Sequence, residues 1–249
     1  MRKKGLFFIG IFFIMSLLVK IGWIENKLLF FPSHENSAEL AENSAFTKWT
    51  TAGKYIGWKK VVNREHRSWL FIHGNAGQAI HRTYAEHCFS KDENIFILEY
   101  PGYGEREGSP SADSFNAAAM EAYTLLKEEV SEQKICLIGE SIGSGPTCFL
   151  ASQGIQPEKI VLVVPFDNLK SLAQEKMPFL PVSWMMRNQW DNIDFIKSFE
   201  GPIEIYGAEH DEIIPLHHAE KLARSNKNCR LFIMPCGHNS WSYNVTFFK

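Results

Sequence analysis

A serine stands between glycines in Gly139-Glu140-Ser141-Ile142-Gly143, directly after the apolar run 135–138 (ICLI). The G-x-S-x-G pattern is short, so its meaning depends on context. Here a strand-like run precedes it and the small residues Gly143, Ser144 and Gly145 follow. That is the setting of a tight strand-to-helix turn, which lifts a serine hydroxyl above a sheet edge. A serine hydroxyl is a weak nucleophile until a base takes its proton, and the base needs a third group to orient it. His238 follows the apolar run 231–234 through Pro235-Cys236-Gly237, and Asp211 follows 203–206 through Gly207-Ala208-Glu209-His210. Both sit where strands end, at the edge where sites of open sheets gather. The order Ser141, Asp211, His238 is nucleophile, acid, base, and the chemistry it suits is acyl transfer.

An acyl-transfer site also needs donors for the oxyanion. The run 69–73 ends in His73-Gly74-Asn75-Ala76-Gly77, and the backbone N–H groups of Asn75 and Ile142 are the expected pair. His73 precedes the nucleophile and reads as a brace for its loop. Asp167, after the run 160–164, competes with Asp211 as orienter, whereas Glu209 and Glu212 read as solvent-facing and His210 as a loop brace. His210, Asp211, His217 and His218 could be grouped as metal ligands, but Asp211 already has a role, so no metal and no organic cofactor is expected. Tyr103, in the turn Tyr100-Pro101-Gly102-Tyr103-Gly104, and Trp184 are candidate substrate contacts.

These residues need a scaffold that brings strand ends together. The runs 69–73, 95–100, 135–138, 160–164, 203–206 and 231–234 are near-continuously apolar, as in parallel strands covered on both faces. Stretches of helical length separate them. The clearest has Phe115, Ala119, Ala122, Leu126 and Val130 on one side, with Ser111 or Asp113 as cap. The pattern predicts an α/β architecture with a mostly parallel sheet and helices on both faces. Residues 35–51 read as a surface loop or short helix. The segment 167–199 interrupts the rhythm with Pro178, Pro181 and many large apolar residues, and is expected to form a short apolar lid.

Arg2, Lys3 and Lys4 precede the run 5–24, which is apolar apart from Ser16 and Lys20. Twenty residues make about 30 Å of helix, the thickness of a hydrocarbon core. No small-residue cleavage site follows, so 1–24 is expected to be a signal anchor with the remainder, 25–249, as one extracytoplasmic domain. Secretion or periplasmic release after cleavage is the alternative. The rest of the composition is ordinary for a globular chain: 45% hydrophobic residues, formal charge −2 and no basic block, which gives nucleic-acid binding no support. Five cysteines without a C-x-x-C pair read as mostly buried, reduced thiols.

Taken together, HGNAG at 73–77, EYPGYG at 99–104, GESIGSG at 139–145, PFLPV at 178–182, GAEHDEIIP at 207–215 and PCGHN at 235–239 resemble the α/β-hydrolase superfamily. Within it they look like the membrane-anchored, serine-aminopeptidase-like group that includes depalmitoylase-like members. LLFFPS at 28–33, behind an apolar amino end, is similar too. The resemblance implies the nucleophile at Ser141, the acid at Asp211, the base at His238 and the oxyanion donors at Asn75 and Ile142. It implies a small-molecule or lipid-like acyl substrate cleaved at an ester or thioester. A peptidase or amidase with the same triad is the alternative, for which Glu140 and Asp167 are the local hints of a charged subsite. A non-catalytic tethered scaffold is the other. Few residues follow His238, so the last helix of the fold is expected to be short.

Overall fold

A computed structural model describes residues 25–130 and 134–247, without the side chains of Ser183 and Trp184. Eight strands form the main sheet: β1 (Thr47–Thr51), β2 (Lys54–Lys60), β3 (Ser68–Ile72), β4 (Asn94–Leu98), β5 (Ile135–Glu140), β6 (Lys159–Val163), β7 (Ile203–Ala208) and β8 (Cys229–Met234). Their order across the sheet is β1-β2-β4-β3-β5-β6-β7-β8. β2 runs antiparallel to both its neighbours, and the other pairs are parallel. β3, β4 and β5 are buried along their whole length, which is why their sequences are apolar without alternation.

The six expected strands are β3 to β8. The hairpin β1–β2 replaces the loop expected through residue 51, although Ser37–Ala41 is indeed a short helix, α1. Its two-residue turn, Ala52-Gly53, has φ of +48° and +77°, the conformation that matches the twist of paired strands. Lysines at positions 48, 54, 59 and 60 and the exposed Thr47 and Thr50 mask the apolar signal, which reduces to Trp49, Ile56 and Trp58.

Helices cover both faces. On one, α2 (Ala112–Glu129) starts at a capping box in which Ser111 and Ser114 exchange side-chain and backbone hydrogen bonds. It buries Phe115 in parallel stacking on Tyr100, with ring centroids 3.7 Å apart. α3 (Ser144–Ser152) follows β5, and its buried face packs beside α2. On the other face, two short 3-10 segments, Ala79–Cys88 and His238–Asn244, cover Trp69 and Phe71, the second burying its own Trp241 in the same cluster. The second begins at His238 itself. Between β6 and β7 lies an inserted helical region: α4 (Leu169–Lys176), α5 (Val182–Met185) and α6 (Asn192–Ile196). α7 (Leu216–Ala223) connects β7 to β8. All five cysteines are free thiols, Cys229 the least buried.

The chain passes from β3 outward to β4 and returns to β5 on the other side of β3. That reversal leaves a crevice at the carboxyl ends of β3 and β5. The apolar segment 5–24, and with it the expected membrane anchor, lies outside the described residues. Among those described, no helix is long and apolar enough to cross a membrane.

Candidate active site

β5 ends in Glu140, and Ser141 turns the chain at φ +53° before a single 3-10 turn leads into α3. The turn fits only because its neighbours lack side chains. A Cβ on Gly143 would stand 2.1 Å from the carbonyl oxygen of Ile72 and 2.7 Å from that of His73. A Cβ on Gly139 would meet Thr147 Oγ1 at 2.5 Å. The seryl carbonyl accepts from Ser144 Oγ at 2.6 Å, which fixes the first turn of α3.

The Ser141 hydroxyl lies 3.0 Å from His238 Nε2, and the other ring nitrogen, Nδ1, lies 2.7 Å from Asp211 Oδ2. The second oxygen of Asp211 accepts the backbone N–H groups of Ile213 and Ile214 at 2.9 and 2.7 Å, so the carboxylate cannot rotate away from the ring. The loops that bear the acid and the imidazole are tied by backbone bonds, from Glu209 to Met234 and from His210 to Cys236. All three side chains are buried. With Asp211 accepting at Nδ1, the neutral ring presents its lone pair on Nε2 to the seryl hydroxyl.

A second polar knot sits behind the serine. Glu140 is buried, which opposes its ionisation, but the Arg82 guanidinium 2.8 Å away and the N–H groups of Gly74 and Trp241 outweigh burial and hold its pKa down at about 2. Tyr84 donates to the same carboxylate at 3.2 Å. The knot ties the β3 loop (Gly74), the nucleophile strand and the carboxyl-terminal segment (Trp241) together. Sequence reasoning missed Arg82; its only signal was that a buried acid at 140 requires a cation.

The triad opens into a cavity of about 500 Å³, whose wall includes Asn75, Ile142, Phe166, Leu172, Met177 and Ile213. The expected oxyanion residues Asn75 and Ile142 thus share this wall with Ser141. Leu28 and Leu29, from the segment ahead of the sheet, also line it, because Phe31–Pro32 pairs in parallel with Ala76–Gly77. Asn75 donates from Nδ2 to the Leu29 carbonyl at 2.5 Å, and its Oδ1 accepts from the Tyr103 hydroxyl at 3.0 Å.

Tyr103 is therefore not a wall of the cavity. The turn between Gly102 and Gly104 carries its ring inward against Tyr100 and Phe115, where it is fully buried and braces Asn75. Trp184 belongs to α5, but its side chain lies outside the described residues. His73 is buried too, 4.3 Å from Tyr100 between ring centroids. The competing acid, Asp167, is held by His218 at 2.5 Å and Lys221 at 2.6 Å and does not reach His238.

The sheet order, the strained serine turn and the buried relay define an α/β-hydrolase fold carrying the triad of a serine hydrolase. Solved structures agree on the fold: an α/β hydrolase from Vibrio vulnificus superposes with a TM-score of 0.67 at 18% identity, covering 86% of this chain and 84% of that one. The Pyrococcus furiosus esterase Pf2001 gives 0.61 at 16% identity, covering 85% and 90%. No family model matches the chain. Among curated proteins it is similar to Rv2307c of Mycobacterium tuberculosis, 29% identical over 175 residues (68% of this chain, 62% of that protein). It is also similar to the lysophosphatidylserine lipase ABHD12 of Xenopus tropicalis, 26% identical over 216 residues (75% and 56%). The chain spans less than two thirds of the length of either relative.

Proposed function

We propose that the protein hydrolyses a carboxylic ester or thioester of a lipid-like acyl group through an acyl-serine on Ser141. The observation that carries this reading is the relay Ser141–His238–Asp211 opening into an apolar-walled cavity. His238 Nε2 takes the seryl proton as Oγ attacks the carbonyl, and Asp211 stabilises the imidazolium so formed. The N–H groups of Asn75 and Ile142 meet the oxyanion. His238 then returns the proton to the leaving alcohol or thiol, and water, activated by the same ring, releases the acid.

Three further observations favour an acyl substrate. A second, strongly apolar cavity of about 170 Å³ adjoins the first and shares Leu28, Leu29, Ala173 and Met177 with it, room for a hydrocarbon chain. The two acids that could have formed a subsite for a peptide amino terminus are engaged, Glu140 by Arg82 and Asp167 by His218 and Lys221. A similar protein, ABHD12, is named as a lipase. In this reading the segment 5–24 tethers residues 25–249 to a membrane on its extracytoplasmic side, and 167–199 is the lid over the cavity.

The test is labelling of the detergent-extracted protein by a fluorophosphonate, together with release of p-nitrophenol from esters of acetate to palmitate. Wild type labels and turns over, and Ser141→Ala does neither. Folded wild-type protein that takes no label and cleaves no ester refutes the proposal.

A further inference from the structure

Away from the triad, the inserted region meets the body of the fold at a cluster of two imidazoles and a carboxylate. Glu175 lies in the last turn of α4, and His217 and His218 in the first turn of α7. One oxygen, Glu175 Oε2, stands 3.0 Å from His217 Nε2 and 3.2 Å from His218 Nε2. The ligand atoms of the three residues all lie within 4.8 Å of one another.

His218 supplies the decisive detail. It is 2% exposed, and its Nδ1 is bound to Asp167 Oδ1 at 2.5 Å, an acid that Lys221 also holds. Its Nε2 is buried and makes no hydrogen bond, although the Glu175 oxygen is so close. With Asp167 accepting a hydrogen bond from Nδ1–H, that tautomer turns a lone pair on Nε2 towards a carboxylate oxygen. Two acceptors then face each other across a gap that a cation fills.

We propose that Glu175, His217 and His218 bind a zinc ion, with Asp167 as the outer carboxylate that orients His218. Carboxylate–imidazole–metal relays of this form fix the ring and raise its basicity. Zinc bonds of about 2.0–2.1 Å put neighbouring ligands of a tetrahedron about 3.4 Å apart, close to the two separations observed. Two imidazoles and one carboxylate suit a borderline ion, whereas magnesium and calcium take oxygen donors. His217 and Glu175 face solvent, so the ion has access and water completes its shell. The ion would clip α4, whose other residues Leu172, Ala173 and Lys176 line the active-site cavity, to α7 on the body. The sequence grouped His217 and His218 with His210 and Asp211 instead; the fold gives Asp211 to His238 and supplies Glu175 from 42 residues upstream of His217.

The experiment titrates zinc into tag-free, chelator-stripped, full-length protein in detergent, in competition with a chromophoric chelator, and follows thermal unfolding in parallel. The expected result is one zinc per chain and a raised Tm, unmatched by magnesium or calcium. His217→Ala and Glu175→Gln, both at solvent-facing positions and checked for folding by circular dichroism, weaken binding by about tenfold or more and abolish the Tm shift. No zinc uptake by wild type, as a plain imidazolium–carboxylate pair would give, overturns the proposal. So does uptake that both variants retain at wild-type affinity, which would put the ion elsewhere.

Discussion

Ser141 carries positive φ in a region that residues with side chains seldom adopt, and the surrounding contacts hold it there. The consequence is a hydroxyl fixed at hydrogen-bond distance from an imidazole whose tautomer Asp211 sets. Asp211→Asn keeps the shape but reverses that tautomer, so kcat for a p-nitrophenyl ester is expected to fall roughly 10⁴-fold at neutral pH with little change in Tm. A fall of less than about tenfold would mean that Asp167 or another acid does the orienting. Glu140 makes the second prediction at this scale. Its folded pKa of about 2 lies below the ordinary 4.5, so it is more acidic folded than unfolded. Such a group contributes its full stability above about pH 4.5 and loses it as pH falls through about 2. Glu140→Gln strands the largely buried Arg82, whose side chain is 11% exposed, and is expected to cost about 3–5 kcal/mol at pH 7 by urea unfolding. Between pH 4.5 and 2 the wild-type and variant curves should converge. A gap unchanged across that window would show that the carboxylate's charge is not what holds the knot.

At the scale of elements, the nucleophile turn depends on how closely α3 approaches the end of β3. Gly143→Ala drives a Cβ into the carbonyl oxygens of Ile72, the last residue of β3, and of His73 just beyond it, so something must move. Overpacking of this kind costs about 1–3 kcal/mol, and here the moving part bears Ser141. A lowered Tm together with slower fluorophosphonate labelling is expected; a Tm loss alone would place the strain away from the serine. α4 offers a different control. Ala173 lies on the wall of both cavities, so Ala173→Trp should raise KM for long-chain esters about tenfold or more and spare acetate esters. Equal loss for both would mean that acyl chains do not run past α4. Elements differed in how far their sequence disclosed them. β3, β4 and β5 are buried along their whole length and β6 nearly so, which gives unbroken apolar runs, while β7 and the edge strand β8 keep shorter ones; Ser141, Asp211 and His238 were legible because each follows such a run. β1 and β2 lie at or near the sheet edge, where lysines and threonines face water and dilute the pattern. Arg82 and the Leu28–Leu29 wall come from segments without periodicity, and only the fold brings them to the triad's cavity, as it alone brings Glu175 to His217 and His218. Tyr103 misled because a rim position on a glycine turn does not say which way the ring points.

For the molecule as a whole, the question is how an apolar-walled site meets its substrate. The cavities are lined in part by side chains that water should not favour: Leu28 is 67% exposed, and Phe31, Met177, Leu180 and Ile213 are exposed too, while Phe179, next to Leu180 in the chain, is 98% exposed. Scattered exposed apolar residues need no explanation, but these gather around one opening, as at a surface that enters a lipid interface. The chain arrives at the same place. Glu25 accepts the backbone N–H groups of Arg187 and Asn188 at 3.0 and 2.8 Å, which docks the start of the described chain onto the inserted region. Leu28 and Leu180 then line one cavity. With residues 5–24 as a membrane anchor, that rim would be held against the bilayer and substrate would pass from lipid into the cavity without crossing water. Burying a phenylalanine and a leucine is worth about 1.5–3 kcal/mol each when complete, and partial insertion a fraction of that. Phe179→Glu with Leu180→Glu, in full-length protein reconstituted into vesicles, is therefore expected to raise KM for a long-chain ester in the bilayer about tenfold. The same double variant should keep kcat/KM for a water-soluble acetate ester near the wild-type value, since neither side chain touches Ser141. If both substrates lose equally, the rim supports the lid rather than the lipid encounter; if neither does, substrate reaches Ser141 by another route.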